Sequence, residues 1–188
     1  MKFHWARFNI IFALVLAAGV TGCQTAKDKL KKEDISTIRF FIESHSGMPG
    51  RTFVAKIGET FPIEMILKSD PFLSEANVLK AEAWDTTDGG VAIRLELDRI
   101  GRRTLELNAA LLANQRVAVH SHFPAGRWVA ISTVKDLGRD GIVLLYPNTT
   151  PEETDRLVKG LNLVAAELEK DRDKEDLVET PKNDDPTK

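Results

Sequence analysis

The alternation over residues 91–97 constrains the fold of this chain more than any other feature of its sequence. Every second side chain there is large and apolar, namely Val91, Ile93, Leu95 and Leu97. That is the period of a β-strand with one buried face and one wet face. Asp88-Gly89-Gly90 stands just before it and supplies the positive φ angles of a tight reversal. The sequence therefore predicts an antiparallel hairpin over 78–98.

Further strands and a first helix are predicted around this hairpin. Runs of β-branched, aromatic and apolar residues indicate strands at 37–43, 52–56, 62–67, 116–123, 127–135 and 141–146. Leu105, Ala109 and Leu112 share one helical stripe, which predicts a helix over 102–113.

The last helix has the best start signal in the chain. Thr150, Pro151 and Glu153 form a capping box with proline at the first helical position. An apolar stripe follows at Leu157, Leu161, Val164 and Leu168. Gly160 inside this helix costs about 1 kcal/mol relative to alanine, so we expect close packing of the helix on the sheet to require it.

Composition is that of one ordinary folded domain with charged ends. The 188 residues are 43% hydrophobic, and the part from residue 24 carries 24 basic and 28 acidic residues. This acidic excess argues against a nucleic-acid partner, which favours a basic surface. We divide the chain into an N-terminal segment 1–22, a tether 23–35, a folded α+β domain 36–169 and a charged, disordered tail 170–188.

The N-terminus has the order of a secretory signal peptide. Lys2 and Arg7 precede an apolar run over 10–20, which is too short for a comfortable membrane-spanning helix. The run ends in Val20-Thr21-Gly22-Cys23, which resembles the lipobox of bacterial lipoproteins. The resemblance implies cleavage before Cys23 and acylation of that cysteine, so that membrane lipid is the first expected partner.

Cys23 is also the only cysteine of the chain. No intramolecular disulfide and no cysteine-based zinc site can therefore form. Two or three acyl chains on one cysteine hold a protein at a membrane firmly. Gln24 follows it, and by resemblance to Gram-negative lipoproteins this residue favours the outer membrane over the inner one. The expected location is a bacterial membrane, with the domain facing the periplasm or the cell exterior.

The order of elements over 78–162 resembles the first large periplasmic domain of SecD, a subunit of the bacterial preprotein translocase. The matching segments are the hairpin 81–97, Gly101 with the helix 105–114, Arg116–Val119 (RVAV), residues 128–131, and Thr150-Pro-Glu-Glu through Asn162. The proline of the family's "a-P-x-I" strand and its "G-x-L-P" ending are absent. The resemblance implies a ferredoxin-like antiparallel sheet with two helices on one face, and places 37–74 as extra β structure beside that head.

His120 and His122 are the candidate metal ligands. Two residues apart on a predicted strand, they point to one face, while Val117, Val119 and Phe123 point to the other. A metal site needs a third ligand, for which His45 is the one suggestion. Two polar residues on a wet face are the more ordinary interpretation.

The other polar clusters indicate no chemistry. Ser44, His45 and Ser46 are adjacent on an extended chain and therefore face different ways, and no nucleophile elbow is present. Asp85, Asp88 and Asp98 surround the hairpin as turn residues, and a calcium loop would need a closer set of ligands.

Trp84 and Trp128 are expected to be core residues. An exposed tryptophan beside a sheet edge would instead indicate a platform for an extended peptide.

These observations favour a non-catalytic, lipid-anchored envelope protein that needs no cofactor and binds another envelope protein. The alternative is a periplasmic accessory protein that binds a metal through His120 and His122, or a small ligand in an apolar pocket.

Overall fold

The computed structural model describes residues 35–58, 61–87, 89–123 and 125–178, without the side chains of 172–178. The described strands are β1 (Thr37–Ile42), β2 (Thr52–Ile57), β3 (Ile63–Lys68), β4 (Leu73–Ser74), β5 (Val78–Asp85), β6 (Val91–Leu97), β7 (Arg116–His122), β8 (Gly126–Thr133), β9 (Gly138–Arg139) and β10 (Ile142–Leu145). The helices are α1 (Arg99–Leu112) and α2 (Pro151–Val178), with 3₁₀ turns at Glu75–Asn77 and Val134–Asp136.

These elements form an α+β fold with antiparallel sheets. The described strands make one sheet of order β4-β1-β7-β8, a second of order β5-β6-β10-β9, and a separate hairpin β2–β3. The hairpin predicted around Gly89 is present as β5–β6, and Gly89 has the positive φ of 82° that its turn needs. Cys23 and the tether, like the tail beyond 178, lie outside the described residues.

One main core joins both sheets and both helices. Its largest fully buried side chains include Phe40 of β1, Ile93 and Leu95 of β6, Leu105 of α1 and Leu161 of α2. Val117 and Val119 of β7 are also buried in it, as the alternation of that strand predicts. Burial of this size, at about 25 cal/mol per Å² of apolar surface, is what holds the two sheets together.

The arrangement of the strands corrects one expectation. Segment 37–74 is β structure beside the predicted head, as expected, but β1 also joins a sheet of that head by pairing with β7 from Thr37↔His122 to Ile42↔Val117. Each strand has two edges, and β1 and β8 occupy both edges of β7. No edge of β7 is left for β6 or β10, so the strands of the predicted head divide between two sheets. A single ferredoxin-like sheet is therefore not confirmed.

Both helices begin at polar caps. Helix α1 begins at Arg99, three residues before the predicted start, because the Asp98 carboxylate accepts the Gly101 N–H at 2.7 Å. Helix α2 has the predicted capping box, in which the Thr150 N–H donates to Glu153 at 2.9 Å and the Glu153 N–H donates to the Thr150 hydroxyl at 3.3 Å.

Helix α2 packs closely on the start of β1. A Cβ added to Gly160 would stand 2.6 Å from the Ser36 backbone nitrogen and 2.2 Å from its hydroxyl oxygen. The helix can therefore approach β1 only with glycine at this position, which confirms the packing expected there. The helix continues past the predicted domain boundary at 169 to Val178.

Asn162 of α2 binds the outer strand of the second sheet. Its amide oxygen accepts the Ala81 N–H at 2.8 Å, and its amide nitrogen donates to the Ala81 carbonyl at 2.9 Å. The side chain thus makes the two hydrogen bonds that a neighbouring strand would make at the edge of β5.

Over the residues described, neither helix is both long enough and apolar enough to cross a membrane.

Candidate functional site

An aromatic cluster lies beneath the hairpin β2–β3, on the face of the first sheet that is turned away from the main core. The rings of Phe41 and Trp128 meet edge to face, with centroids 5.7 Å apart. Phe53 of β2 stacks on Trp128 at 6.4 Å and meets Phe41 at 5.7 Å. The hairpin completes this second core with buried apolar residues, namely Ala55, Ile57, Met65 and Leu67, which pack against Phe41 and Ala118. Packing of this kind fixes the hairpin against the sheet.

Strand β8 has a β-bulge at the middle of this region. Val119 faces Ala130 whereas His120 faces Trp128, so Val129 is the extra residue on β8. The Val129 carbonyl accepts the Asn148 N–H at 2.7 Å, and Arg127 holds the same loop by donating to the Asn148 carbonyl at 3.3 Å. The bulge therefore joins β8 to the segment that leads into α2.

An apolar groove of about 220 Å³ lies between β8 and the tip of the hairpin. One wall consists of Ile57, Gly58, Phe61 and Ile63, and the other of residues 128–131 with Asn148. Phe61 is 86% exposed. None of the described residues that line the groove is charged, so its ordinary occupant would be apolar.

The strand that forms one wall of the groove is also the outermost strand of its sheet. Beside β7, no strand or loop within the described residues hydrogen-bonds to the backbone of 130–133. An outer strand of this kind presents main-chain N–H and C=O groups along its free side. The groove and a free strand edge therefore adjoin each other.

His120 and His122 lie on one face of β7, as their spacing predicts, but in different surroundings. His120 is partly buried against Trp128, with ring centroids 5.0 Å apart, whereas His122 is exposed. Burial lowers the pKa of His120, and the positive charge of Arg39 and His122 lowers it further. The uncharged form of the His120 ring is therefore favoured, and the ring packs beside the aromatic cluster.

His45 cannot complete a metal site with this pair. It lies 3.4 Å from the Gln115 amide nitrogen, before the start of β7, whereas His120 is five residues further along the chain. At about 3.3 Å per strand residue, Gln115, which His45 contacts, is roughly 16 Å from His120. Among the residues the structure describes, no three side chains of the metal-binding types come together.

Ser44 and Ser46 do not pair with His45 as a nucleophile and a base. The Ser44 hydroxyl donates to the Ser46 carbonyl at 2.9 Å, which is a local turn interaction. Asp98 is a helix cap, Asp85 ends β5 on the surface, and Asp88 lies outside the described residues.

The two tryptophans differ in burial. Trp128 packs in the second core, as predicted, but Trp84 is 55% exposed, so the expectation that both are core residues is wrong for Trp84. Trp84 shares its strand face with Glu82 and Lys80, which are two and four positions away. That alternation was the signal that could have placed Trp84 on the wet face.

The sequence did not point to the groove. Phe61 lies in the turn before β3, and Ile63 is the first residue of that strand. Apolar residues at a turn and a strand end show no periodic pattern that would indicate a groove. Ile131 is one of the apolar positions of a predicted strand, and nothing local shows that this strand is outermost.

Comparison with known proteins gives a limited result. No protein-family profile matches this chain, and no curated protein matches it. The crystal structure of SecDF in its super-membrane-facing form is similar over 68% of this chain and 18% of that chain, with 15% identity and a TM-score of 0.48. A structure of SecDF, described as a membrane component that enhances protein export, is similar over 68% of this chain and 62% of that chain, with 15% identity and a TM-score of 0.47.

Both structures are of SecDF. This chain spans less than two thirds of either of them. Likeness at this level carries no conclusion about activity or partners.

Proposed function

We propose that this chain is a lipid-anchored protein of the bacterial cell envelope whose folded domain is non-catalytic and binds an extended segment of another protein. Acylated Cys23 holds it at the membrane, and the groove beside β8 receives the partner. The domain faces the periplasm or the cell exterior, and Gln24 favours the outer membrane if the host is Gram-negative. The domain needs no cofactor for this role.

The anchor is supported by the order of features at the N-terminus. A positive region, a short apolar run and Val20-Thr21-Gly22-Cys23 follow one another at the spacing of a lipoprotein signal. The resemblance of 78–162 to a periplasmic domain of SecD agrees with a location outside the cytoplasm.

The groove is the observation that carries the binding function. A groove whose described lining is apolar and uncharged adjoins the free edge of β8, where residues 130–133 have no hydrogen-bonding neighbour beyond β7 among the described residues. An extended segment can add to such an edge through main-chain hydrogen bonds and insert every second side chain into an apolar pocket. Both requirements of β-augmentation are therefore met at one place.

The size of the groove favours a peptide over a free small ligand. Its volume of about 220 Å³ is below the roughly 300–1,000 Å³ that is usual for pockets of drug-sized ligands. It suits a side chain of a bound segment better than a whole lipid or cofactor.

The edge of β5, another outer strand, is less suitable than that of β8. Trp84 is exposed there, but Asn162 already makes both main-chain hydrogen bonds of Ala81. Helix α2 also packs against β5. A partner strand at β5 would have to displace the Asn162 side chain. A partner strand at residues 130–133 of β8 would not have to displace a side chain of this kind.

The test is site-specific photo-crosslinking of the full-length protein in its native envelope. We expect a photoreactive residue at Phe61 to give a crosslinked partner, and expect Ile131→Glu, which puts a charge into the groove, to abolish that crosslink. Mass spectrometry should locate the crosslink in an extended, apolar segment of the partner.

A photoreactive residue at Trp84 is the matched control, since Trp84 is also an exposed aromatic residue but lies on β5, an outer strand of the other sheet. Equal crosslinking from Trp84, or crosslinking from Phe61 that persists in Ile131→Glu, would contradict binding in the groove.

A further inference from the structure

Helix α1 has a second apolar stripe that no described residue covers. Its inner stripe packs Leu105 into the core, whereas Ile100, Leu107 and Leu111 are 64%, 59% and 72% exposed. At 100° per residue these three side chains fall within an arc of about 40°, and they extend for about 16 Å along the helix. The stripe is separate from the groove beside β8.

The stripe is flanked by two arginines that have no ion-pair partner among the described residues. The helix carries Arg99, Arg102 and Arg103, with Asp98 as its cap and Glu106 as the one acid within it. Arg102 pairs with Glu106 at 2.9 Å and with Asp140 at 4.0 Å, whereas neither Arg99 nor Arg103 forms an ion pair with any residue that the structure describes. This basic helix stands out on a chain whose part from residue 24 has four more acidic than basic residues.

We propose that α1 docks on the surface of an anionic lipid bilayer, with Ile100, Leu107 and Leu111 inserted at the headgroup boundary. Exposed apolar side chains beside arginines are the combination by which an amphipathic helix lies in a membrane interface. Each arginine near an anionic leaflet adds attraction that the negative surface potential supplies. The occupant that complements both the stripe and its charge is therefore anionic lipid.

The proposed lipid anchor at Cys23 keeps α1 close enough to the bilayer to contact it, and to that extent the inference rests on the proposed function. Twelve residues separate Cys23 from residue 35, where the described chain begins. A chain of that length spans at most about 40 Å. The domain would therefore stay close to the bilayer, and α1 would fix which of its surfaces faces the lipid.

A second copy of the chain is the other occupant that an apolar stripe could have. Two α1 helices would bring together four arginines, Arg99 and Arg103 of each copy, that have no ion-pair partner among the described residues. That excess of like charge opposes self-association, whereas the same charge favours an anionic surface.

The test uses the single cysteine of the chain. In lipidated full-length protein Cys23 is blocked by its acyl chain, so Leu107→Cys introduces one free thiol for an environment-sensitive fluorophore. Val54→Cys is the matched control, because Val54 is also an exposed apolar residue, 64% accessible, on the hairpin. Both labelled proteins are reconstituted on phosphatidylglycerol-containing vesicles whose lipids carry a quencher in the acyl chain.

We expect quenching at position 107 to be about twofold or more stronger than at position 54, and to weaken in 1 M salt and in an Arg99→Gln/Arg103→Gln variant. Equal quenching at the two positions on protein that floats with the vesicles would overturn the docking of α1 and leave the anchor intact. In a separate sample of unlabelled protein, a disulfide dimer that copper–phenanthroline oxidation forms from Leu107→Cys but not from Val54→Cys would overturn it in favour of a second copy.

Labelling of Cys23 itself would instead contradict the proposed anchor. It would add the same signal to both variants, so that their difference would still decide whether α1 contacts lipid.

Discussion

Gly160 shows how one residue can set the distance between a helix and a sheet. It stands in the middle of α2, where glycine is a poor helix former by about 1 kcal/mol. A methyl group there would meet the hydroxyl and the backbone nitrogen of Ser36, which begins the chain's approach to β1. The backbone of Ser36 cannot rotate away as a flexible side chain could, so packing outweighs helix propensity at this position.

We therefore predict that Gly160→Ala lowers the free energy of unfolding by about 1–3 kcal/mol, although alanine favours the helix. Urea denaturation of the full chain measures this. Gly47→Ala is the control, because nothing lies within 4 Å of a Cβ at that position, and it should change stability by less than about 0.5 kcal/mol. A stabilised Gly160→Ala would show that α2 does not approach β1 this closely.

At the scale of elements, the outer strands β5 and β8 differ in which groups hydrogen-bond to their free edges. The edge of β5 is bound by Asn162, whose side chain makes two hydrogen bonds with Ala81 at 2.8 and 2.9 Å. Among the described residues, the free edge of β8 is bound only at its bulge, where Asn148 donates to the Val129 carbonyl. An unpaired strand edge favours pairing with another chain, so the difference directs a partner to β8.

Asn162→Ala should lower the free energy of unfolding by about 1–3 kcal/mol, because the backbone groups of the buried Ala81 lose their partners. Hydrogen exchange of the Ala81 amide should become faster than in the unchanged protein. Asn108→Ala is the matched control, since the Asn108 amide donates only to the Thr104 carbonyl of its own helix, at 2.8 Å. Similar losses for the two variants would argue against a special role for Asn162.

The elements themselves were largely predictable from local patterns. The period of 91–97, the reversal at Gly89 and the capping box of Thr150 and Glu153 each depend on residues close in sequence, and each is found in the structure. The short strands β4 and β9 were missed, because two residues are too few to show a period.

At the scale of the whole molecule, local patterns could not predict which strands share a sheet. The pairing of β1 with β7 joins residues that are about 80 positions apart, and only tertiary packing decides it. The groove follows from that pairing, because β8 becomes outermost only when β1 and β8 occupy the two edges of β7. A sequence that predicts every strand can therefore still fail to predict the site.

The functions proposed for the groove beside β8 and for the apolar stripe of α1 both require that the domain is held at a membrane. Intact-mass measurement of the protein extracted from the membranes of its native host tests this most directly. We predict a chain that begins at Cys23 and carries the added mass of a diacylglyceryl group and a further acyl chain. A chain that retains residues 1–22, or one that begins at Cys23 without added lipid, would contradict it.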